Sequence, residues 1–562
     1  TTRAAAEQQR SYVTANVLLM GDTGVGKSGL TERLVRGHFV QTKSTHGRRT
    51  EELRREDVTD DATGATLQRR ILLWDLAGQP EYRVVHQLSL HNATLACVLF
   101  DSHRATDPFE SPTYWGQALA QAHPHQPVPK VLVASRIDVG GLPASPDSID
   151  AFRAEHAFEH FIATSAISGE GCAALAQLIQ DTIPWDRLTV YSTNQRLETL
   201  REFVRQQVPP PVTKQQPGVY PLRLVTVEAL HAAFGRTTDQ APTLADFSRD
   251  LRQIEHSGDV RLLAFRPTGD TPPPGNDPPQ PTDYVLLDPT RHDAYASALL
   301  LAARNQPHGP GHLPETAIKA DELRLPAEDR LADSADEKRL LWFVLDDLVR
   351  CDLALREEIE GAPYVVFPSQ CITELTFPGT AAFGMAFGFA GPVRNIYATL
   401  IAQLAHYTGF RHERKPAFYR DAAVYHTPTG DCILRLRDTG KGHAELDALF
   451  DPSTPDAVRQ GFIEFVERHL HHKAVPGSVT QRYAYHCRTC GYAFEDKIVR
   501  KRLADERANL LCPDCETTTP LRALDTEPTP ATQDVVKQME QDAEEGRERM
   551  SAEVIIKAKE DQ

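Results

Sequence analysis

The stretch "NVLLMGDTGVGKSGLTERLVRG", residues 16–37, constrains the fold of this 562-residue chain more than any other segment. The apolar run up to Met20 reads as a buried strand. Gly21-Asp22-Thr23-Gly24-Val25-Gly26-Lys27-Ser28 then spells G-x-x-x-x-G-K-S, and Gly29 follows inside an opening helix, "SGLTERLVRG". A strand, a glycine-rich turn and a helix in this order form a cradle. Glycines let backbone N–H groups converge on an anion, and the helix N-terminus adds positive potential. Lys27 is placed to reach the β- and γ-phosphates of a nucleotide, and Ser28 to ligate Mg²⁺.

The surrounding sequence supports an α/β sheet. Short apolar runs, "RILLWDLAG", "LACVLFD", "KVLVAS" and "FIATSA", alternate with helix-like segments up to about residue 185, the pattern of buried parallel strands. "EELRREDVTDDATGATLQRR" reads as an edge hairpin turning near Gly64. At 562 residues the chain exceeds one core, and about three to five domains are expected. We divide it into a linker (1–10), a nucleotide-binding domain (11–185), a connecting helix and linker (186–218), a winged-helix-like unit (219–300), a helical or second winged-helix-like unit (301–375), an α+β domain (376–475), a zinc ribbon (476–525) and a charged helical tail or linker (526–562). The fold class is multidomain, α/β followed by α+β. The six prolines between Pro272 and Pro281 predict a disordered tip, and 380–473 predicts strand, helix, three strands, helix. The first residue is Thr1 and not Met, so the chain is expected to be part of a longer protein.

Composition excludes several classes. The net charge of −16 disfavours nucleic acid and anionic membrane as partners. The first residues carry no apolar signal core. The most apolar stretch, "TAAFGMAFGFAGPV", is too short to span a bilayer. Five of nine cysteines are scattered and four form two close pairs, which points to a reducing, cytoplasmic setting with one metal site.

Behind the phosphate loop, "WDLAGQPEYR" ends the third strand. Asp75 can hold Mg²⁺ through water, the Gly78 N–H can bond a γ-phosphate, and Gln79 can orient an attacking water. Residues 11–185 resemble a Ras-like GTPase domain, most closely the Roc type. The resemblance implies that Thr45, in "STHG", completes the Mg²⁺ shell with Ser28 and Asp75. It implies that Lys27, Thr45 and Gln79 are the catalytic set, and that GTP, GDP and Mg²⁺ are the ligands. "ASRID" stands where the family has Asn/Thr-Lys-x-Asp, so Asp138 matches the carboxylate that pairs with guanine N1–H and the 2-amino group. Ser165, Ala166 and Ile167, in "TSAISGEG", match the loop whose backbone N–H reaches guanine O6. A carboxylate is the wrong partner for adenine, whose N1 only accepts. Ser135 and Arg136 depart from the family pair: Arg136 can lay its stem and flat guanidinium on the base, whereas Ser135 is too short for every bridge an asparagine makes, so modest affinity is expected. Hydrolysis is expected to be slow. Arg48 and Arg49 are candidate arginine fingers, in cis or across a dimer, set against solvated loop charges.

Residues 186–475 resemble, in order of elements, the COR region that follows Roc domains in bacterial Roco-type proteins. That implies a homodimer through the COR-like region, and coupling to a protein partner or effector domain outside the chain. Cys487, Cys490, Cys512 and Cys515 give C-x₂-C, a 21-residue spacer and C-x₂-C, the spacing of a structural Zn²⁺ ribbon with a closed shell. The basic "KIVRKRL" between the pairs reads as a solvated strand face. Helix "LADFSRDLRQIEHSG" carries little net positive charge and reads as a packing module. The expected function is a GTP-hydrolysing switch. The alternatives are a P-loop signalling ATPase, and a nucleic-acid-binding regulator using the winged helix and zinc ribbon.

Overall fold

The computed structural model describes residues 10–41, 48–59, 66–78, 83, 86–101, 103, 107–124, 126–142, 144–193, 195–207, 224–238, 241–256, 258–264, 279–307, 310–319, 323, 325, 330–331, 333–375, 383–410, 417–440, 442–487, 489–524 and 529–560. They fall into two compact units: residues up to 301 with 316–347 and 552 onward, and residues 302–315 with 348–551.

The first unit opens with a seven-stranded sheet. Its elements are β1 (Arg10–Met20), α1 (Lys27–Arg36), β2 (Arg48–Thr59), β3 (Thr66–Leu76), α2 (Gln87–Leu90), β4 (Leu95–Phe100), α3 (Glu110–Ala122), β5 (Lys130–Ala134), α4 (Pro146–Glu155), β6 (His160–Ala163), α5 (Cys172–Thr182) and β7 (Tyr191–Thr193). The strand order is β2-β3-β1-β4-β5-β6, with β7 paired to the start of β1. Only β2 and β7 run antiparallel to their neighbours. Both faces are buried, and the side-chain period of two divides the strands between two cores. Val17, Leu19, Leu73, Cys97, Leu99 and Val133 pack on one face with Leu30 and Leu175. Leu18, Met20, Leu72, Trp74, Val98 and Leu132 pack on the other with Trp115 and Phe152. Each such side chain contributes about 1.5–3 kcal/mol of burial. Parallel strands bring their C-terminal ends to one edge, where the phosphate loop and the ends of β3, β4, β5 and β6 converge. The Gly64 turn lies outside the described residues.

The same unit continues with α6 (Gln195–Gln207), β8 (Leu224–Thr226), α7 (Val227–Gly235), α8 (Leu244–His256), β9 (Arg261–Leu263), β10 (Tyr284–Leu286) and α9 (Thr290–Arg304, to residue 301 in this unit). The small sheet has the order β8-β10-β9, two helices followed by a hairpin as the sequence suggests. Its core joins Phe234, Phe247, Leu251 and Val285 to Leu200 of α6 and Tyr12 of β1. Residues 272–278 of the proline-rich tip lie outside the described residues, while Gln280 and Pro281 are hydrogen-bonded to Asp283 and Glu228.

In the second unit, β11 (His312–Pro314), β12 (Leu355–Ile359) and β13 (Ala362–Val366) form a sheet of order β11-β13-β12; α10 (Ser334–Arg350), which belongs to the first unit up to residue 347, precedes β12 in sequence. Then come β14 (Phe383–Ala390), α11 (Val393–Leu404), β15 (Ala417–Phe418), β16 (Ala422–His426), β17 (Asp431–Gly440), β18 (His443–Phe450), α12 (Asp456–Lys473), β19 (Thr480–His486) and β20 (Ala493–Phe494). Their antiparallel sheet has the order β15-β16-β17-β18-β14-β19-β20. Four strands lie between α11 and α12 where three are expected, and β19, read as the start of the ribbon, pairs with β14 along Phe383–Gly388. Phe383, Phe387 and Phe389 are core, as their alternation with small residues indicates.

One segment differs from the sequence reading, and another takes one of its two expected forms. "KIVRKRL" is helical, α13 (Asp496–Ala504), and buries only Val499; β21 (Asn509–Leu511) and β22 (Thr518–Pro520) follow. The charged C-terminal segment is a 31-residue helix, α14 (Pro530–Glu560). Val536, Met539 and Met550 on it are buried, and Asp542 accepts hydrogen bonds from the Thr408 amide and hydroxyl, each at 2.7 Å. Among the described residues no helix is long and apolar enough to cross a membrane.

Candidate nucleotide site and four-cysteine cluster

A cleft of about 360 Å³ opens at the C-terminal edge of the first sheet, lined by the phosphate loop, Gly78, Ser135, Arg136, Asp138, Ala166 and Ile167. Its floor depends on glycine. At Gly21, with φ near 144°, a Cβ would lie 2.4 Å from the Leu99 carbonyl oxygen. Gly26 takes φ 98° as it turns the chain into α1. These are conformations that side chains other than glycine rarely adopt.

Lys27 is buried, and its ammonium donates to the carbonyls of Gly21 (2.7 Å) and Asp22 (2.9 Å). Those bonds hold it across the loop. Burial pushes its pKa down to about 8, against the pull of Asp75 and Asp22. An anion in the cleft relieves that burial cost, so the lysine favours phosphate. Ser28 Oγ donates to Asp75 Oδ2 at 2.5 Å, which brings together two of the expected Mg²⁺ ligands. Gly78 lies hard against the loop: a Cβ there would come within 2.5 Å of the Asp22 carbonyl carbon, Lys27 Nζ and Thr23 N. Only glycine brings the end of β3 this close. A hard oxygen pair beside a lysine and a backbone cradle suits a magnesium-bound polyphosphate. Such a group supplies the anionic charge and the phosphoanhydride bond. Thr45 and Gln79 lie outside the described residues.

At the other end of the cleft, Asp138 accepts a hydrogen bond from Ser165 Oγ at 2.6 Å, so the two segments expected to meet the base are tied together. Ser135 Oγ donates to the Val25 carbonyl at 2.6 Å and lies 3.0 Å from that of Phe100. It therefore does bridge the base loop to the phosphate loop. Arg136 sits at φ 61°, a left-handed conformation. Its Nη1 pairs with Asp101 at 2.9 Å and reaches the Gly24 carbonyl at 3.3 Å. Its aliphatic stem lies about 3.5 Å from where a Gly26 Cβ would stand, so the stem flanks the cleft. Ala166 and Ile167 line the same end.

Sequence reasoning missed Phe39 and Arg83. Phe39 follows the left-handed cap Gly37 of α1, lines the cleft and packs over Gly29, where a Cβ would meet its ring at 2.9 Å. A half-exposed aromatic at a cleft mouth is suited to stack on a flat base. Its only sequence signal was an apolar residue stranded after a helix stop. Arg83 Nη2 pairs with Asp22 at 2.6 Å. Arg48 and Arg49 are not solvated loop charges. Both lie on β2; Arg49 pairs with Glu32 (2.6 Å) and Glu51 (2.5 Å), and Arg48 is buried against Trp74 and Asp293.

In the second unit, Cys487, Cys490, Cys512 and Cys515 bring their sulfurs within 4.8 Å of one another. Cys487 lies 3.4 Å from Cys515, and Cys490 3.4 Å from Cys512. Four convergent thiols of this kind suit a tetrahedral soft-metal site.

Fold and cleft define a phosphate-loop nucleotide-binding domain. A family model described as "Ras of Complex, Roc, domain of DAPkinase" matches residues 16–138. The chain is 32% identical over 158 residues to the Ras-related protein Rab-7L1 of Homo sapiens, covering 26% of this chain and 72% of that protein. It is 31% identical over 159 residues to the Ras-related protein rab-11.1 of Caenorhabditis elegans, covering 28% of this chain and 71% of that one. Rab11D of Lotus japonicus, also a Ras-related protein, is 31% identical over 153 residues, 27% of this chain and 66% of its own length. Through its first domain, the chain belongs to the Ras-related GTPase family.

Proposed function

We propose that this chain is a GTP-binding and GTP-hydrolysing switch of the Roco type, in which the nucleotide state of the first domain is passed to a COR-like region. The observation that supports it is a convergence on Asp293. Arg48 lies at the start of β2, just behind the segment that holds Thr45. Ser89 lies on α2, behind the Gly78 loop. Both reach Asp293 on α9, at 3.5 and 3.3 Å. Residues that follow the Thr45 and Gly78 segments in sequence thus both approach one carboxylate of the following module.

In this reading Lys27 and the backbone amides of Gly24–Ser28 hold the phosphates, and Ser28, Thr45 and Asp75 hold Mg²⁺. The Gly78 N–H senses the γ-phosphate and Gln79 orients the attacking water. Asp138 reads the guanine edge, with Ser165, Ala166 and Ile167 closing over the base. Release of the γ-phosphate frees the Thr45 and Gly78 segments, and Asp293 feels the change. The COR-like region is assigned homodimerisation and coupling to an effector domain outside this chain. The four cysteines are assigned a structural zinc.

Hydrogen exchange of the 284–304 amides, compared between GDP and a non-hydrolysable GTP analogue, tests the coupling. Protection that differs between the two supports it, and identical protection overturns it. Preferential ATP binding would replace the guanine reading with the ATPase alternative.

A further inference from the structure

His86 is a buried histidine that the mechanism above does not use. It caps the start of α2, is 1% exposed, and packs against Trp115 with ring centroids 5.8 Å apart. Its Nε2 lies 2.7 Å from the carbonyl oxygen of Ala77. A carbonyl oxygen only accepts, so Nε2 carries the proton and Nδ1 is the lone-pair nitrogen. Burial pushes the imidazole pKa down to about 4, against the opposing pull of the Ala77 carbonyl and Asp293. The ring is therefore neutral, in one tautomer, across the physiological range.

The partner of that bond matters. The Ala77 carbonyl and the Gly78 N–H belong to one peptide plane. In a planar trans peptide the two groups point in opposite directions, and no described peptide bond is cis. Whatever fixes the carbonyl therefore fixes the N–H. A hydrogen bond accepted by the carbonyl also polarises the amide and strengthens its N–H as a donor. Gly78 itself lies against Thr23 and Lys27, so this peptide borders the phosphate cradle.

We propose that His86 is a positioning residue for triphosphate recognition: by holding the Ala77 carbonyl, its Nε2–H aims the Gly78 amide at the γ-phosphate. This rests on the reading of Gly78 as the γ-phosphate donor. His86 touches no phosphate. It makes the site discriminate triphosphate from diphosphate, because GDP offers the Gly78 amide nothing to bond.

The test uses the full chain and three variants. The glutamine of His86→Gln can place an amide N–H where Nε2 stands. His86→Asn reaches only the Nδ1 position, and His86→Leu has no donor. The readout is the ratio of affinities for a non-hydrolysable GTP analogue and for GDP. His86→Gln is expected to keep that ratio within about 2-fold of wild type, while His86→Asn and His86→Leu lower it about 10-fold with GDP affinity little changed, the size of one lost hydrogen bond to a charged group. Equal losses for both nucleotides in Asn and Leu would make His86 merely structural and overturn the proposal. A glutamine variant as poor as asparagine would also overturn it, as would an asparagine variant that behaves like wild type. Should His86→Leu not fold, the Gln and Asn pair decides alone. A wild-type chain that takes up neither nucleotide overturns the guanine-nucleotide reading itself, and this proposal with it.

Discussion

Arg48 of β2 stacks its guanidinium over the Trp74 ring, 4.1 Å from the centroid, and points Nε at the Asp293 carboxylate 3.5 Å away. The pair is 8% and 3% exposed. Two buried charges that keep each other company cost little as a pair and much when separated. Asp293→Ala is therefore expected to destabilise the first unit by about 3–5 kcal/mol. Replacing both residues, Arg48→Met with Asp293→Leu, should recover most of that loss. All four tryptophans (Trp74, Trp115, Trp185 and Trp342) lie in the first unit, so urea unfolding followed by tryptophan fluorescence reads this unit selectively. A single variant within about 0.5 kcal/mol of wild type would mean that Arg48 finds another partner.

The same carboxylate gives an acid signature. Burial alone would raise the pKa of Asp293, but Arg48, His292 and Arg261 outweigh it and hold it down to about 2 from an ordinary 3.8. A depressed carboxylate contributes stability that is fully present above the unfolded-state value and is lost as pH falls towards the folded one. The contribution is about 2 kcal/mol, and the window lies between about pH 4 and pH 2. Asp259 acts in the same direction, since Arg70, Arg201 and Arg205 outweigh its burial. Fluorescence-detected stability should fall more steeply from pH 4 to pH 3 in wild type than in Asp293→Asn. Parallel acid limbs would refute the assignment.

Asp138, the proposed base-reading carboxylate, accepts a hydrogen bond from Ser165 Oγ at 2.6 Å. A carboxylate accepts from guanine N1–H and the 2-amino group; an amide in its place offers an N–H that suits the carbonyl of xanthine. Asp138→Asn should lower GTP affinity roughly 100-fold or more, two charged hydrogen bonds being lost, and should shift preference to xanthosine triphosphate. Unchanged GTP affinity would remove Asp138 from the base site.

Gly78→Ala tests the close approach of β3 to the phosphate loop. A methyl group would stand 2.5 Å from Lys27 Nζ and Thr23 N, so the Gly78 segment has to withdraw. Binding of a non-hydrolysable GTP analogue should fall at least about 10-fold, the loss of one hydrogen bond to a charged group, with GDP binding largely kept. Equal binding of both nucleotides would show that Gly78 does not sense the γ-phosphate.

What the sequence disclosed was what depends on local spacing. The glycine-rich turn Gly21–Ser28 and the positions of Asp75, Gly78 and Asp138 each sit a fixed few residues from a strand end, and the alternating apolar runs placed those strands. Ser135 and Asp293 show where this stops. The Ser135 hydroxyl reaches the Val25 carbonyl because β5 brings the two loops together, a contact that no local spacing announces. Ser89 and Asp293 lie 204 residues apart, and no local pattern announces their contact. The C-terminal helix α14 was legible as a helical tail or linker but not as a packed helix, because its acidic residues mask the helical spacing of the buried Val536, Met539 and Met550. "KIVRKRL" is too short for its single buried residue, Val499, to reveal a period.

The four cysteines allow a test that is independent of the nucleotide. Their sulfurs lie within 4.8 Å of one another, close enough for one ion to link β19, which leads into Cys487, with the β21–β22 hairpin that carries Cys512 and Cys515. A closed four-sulfur shell leaves no open position, so the ion would be structural, and its binding free energy would be local folding free energy. The chain should purify with one zinc, and Cys512→Ser should lower that content well below stoichiometric. Chelation should strip protection from amides in 489–524 while β14 and β18 keep theirs, because those strands are held by pairing along Phe383–Ala390. Guanine-nucleotide affinity should stay within about 2-fold, since no lining residue of the cleft lies in that segment. If chelation abolishes nucleotide binding together with the ribbon's protection, the cluster is part of the switch, and the purely structural assignment fails.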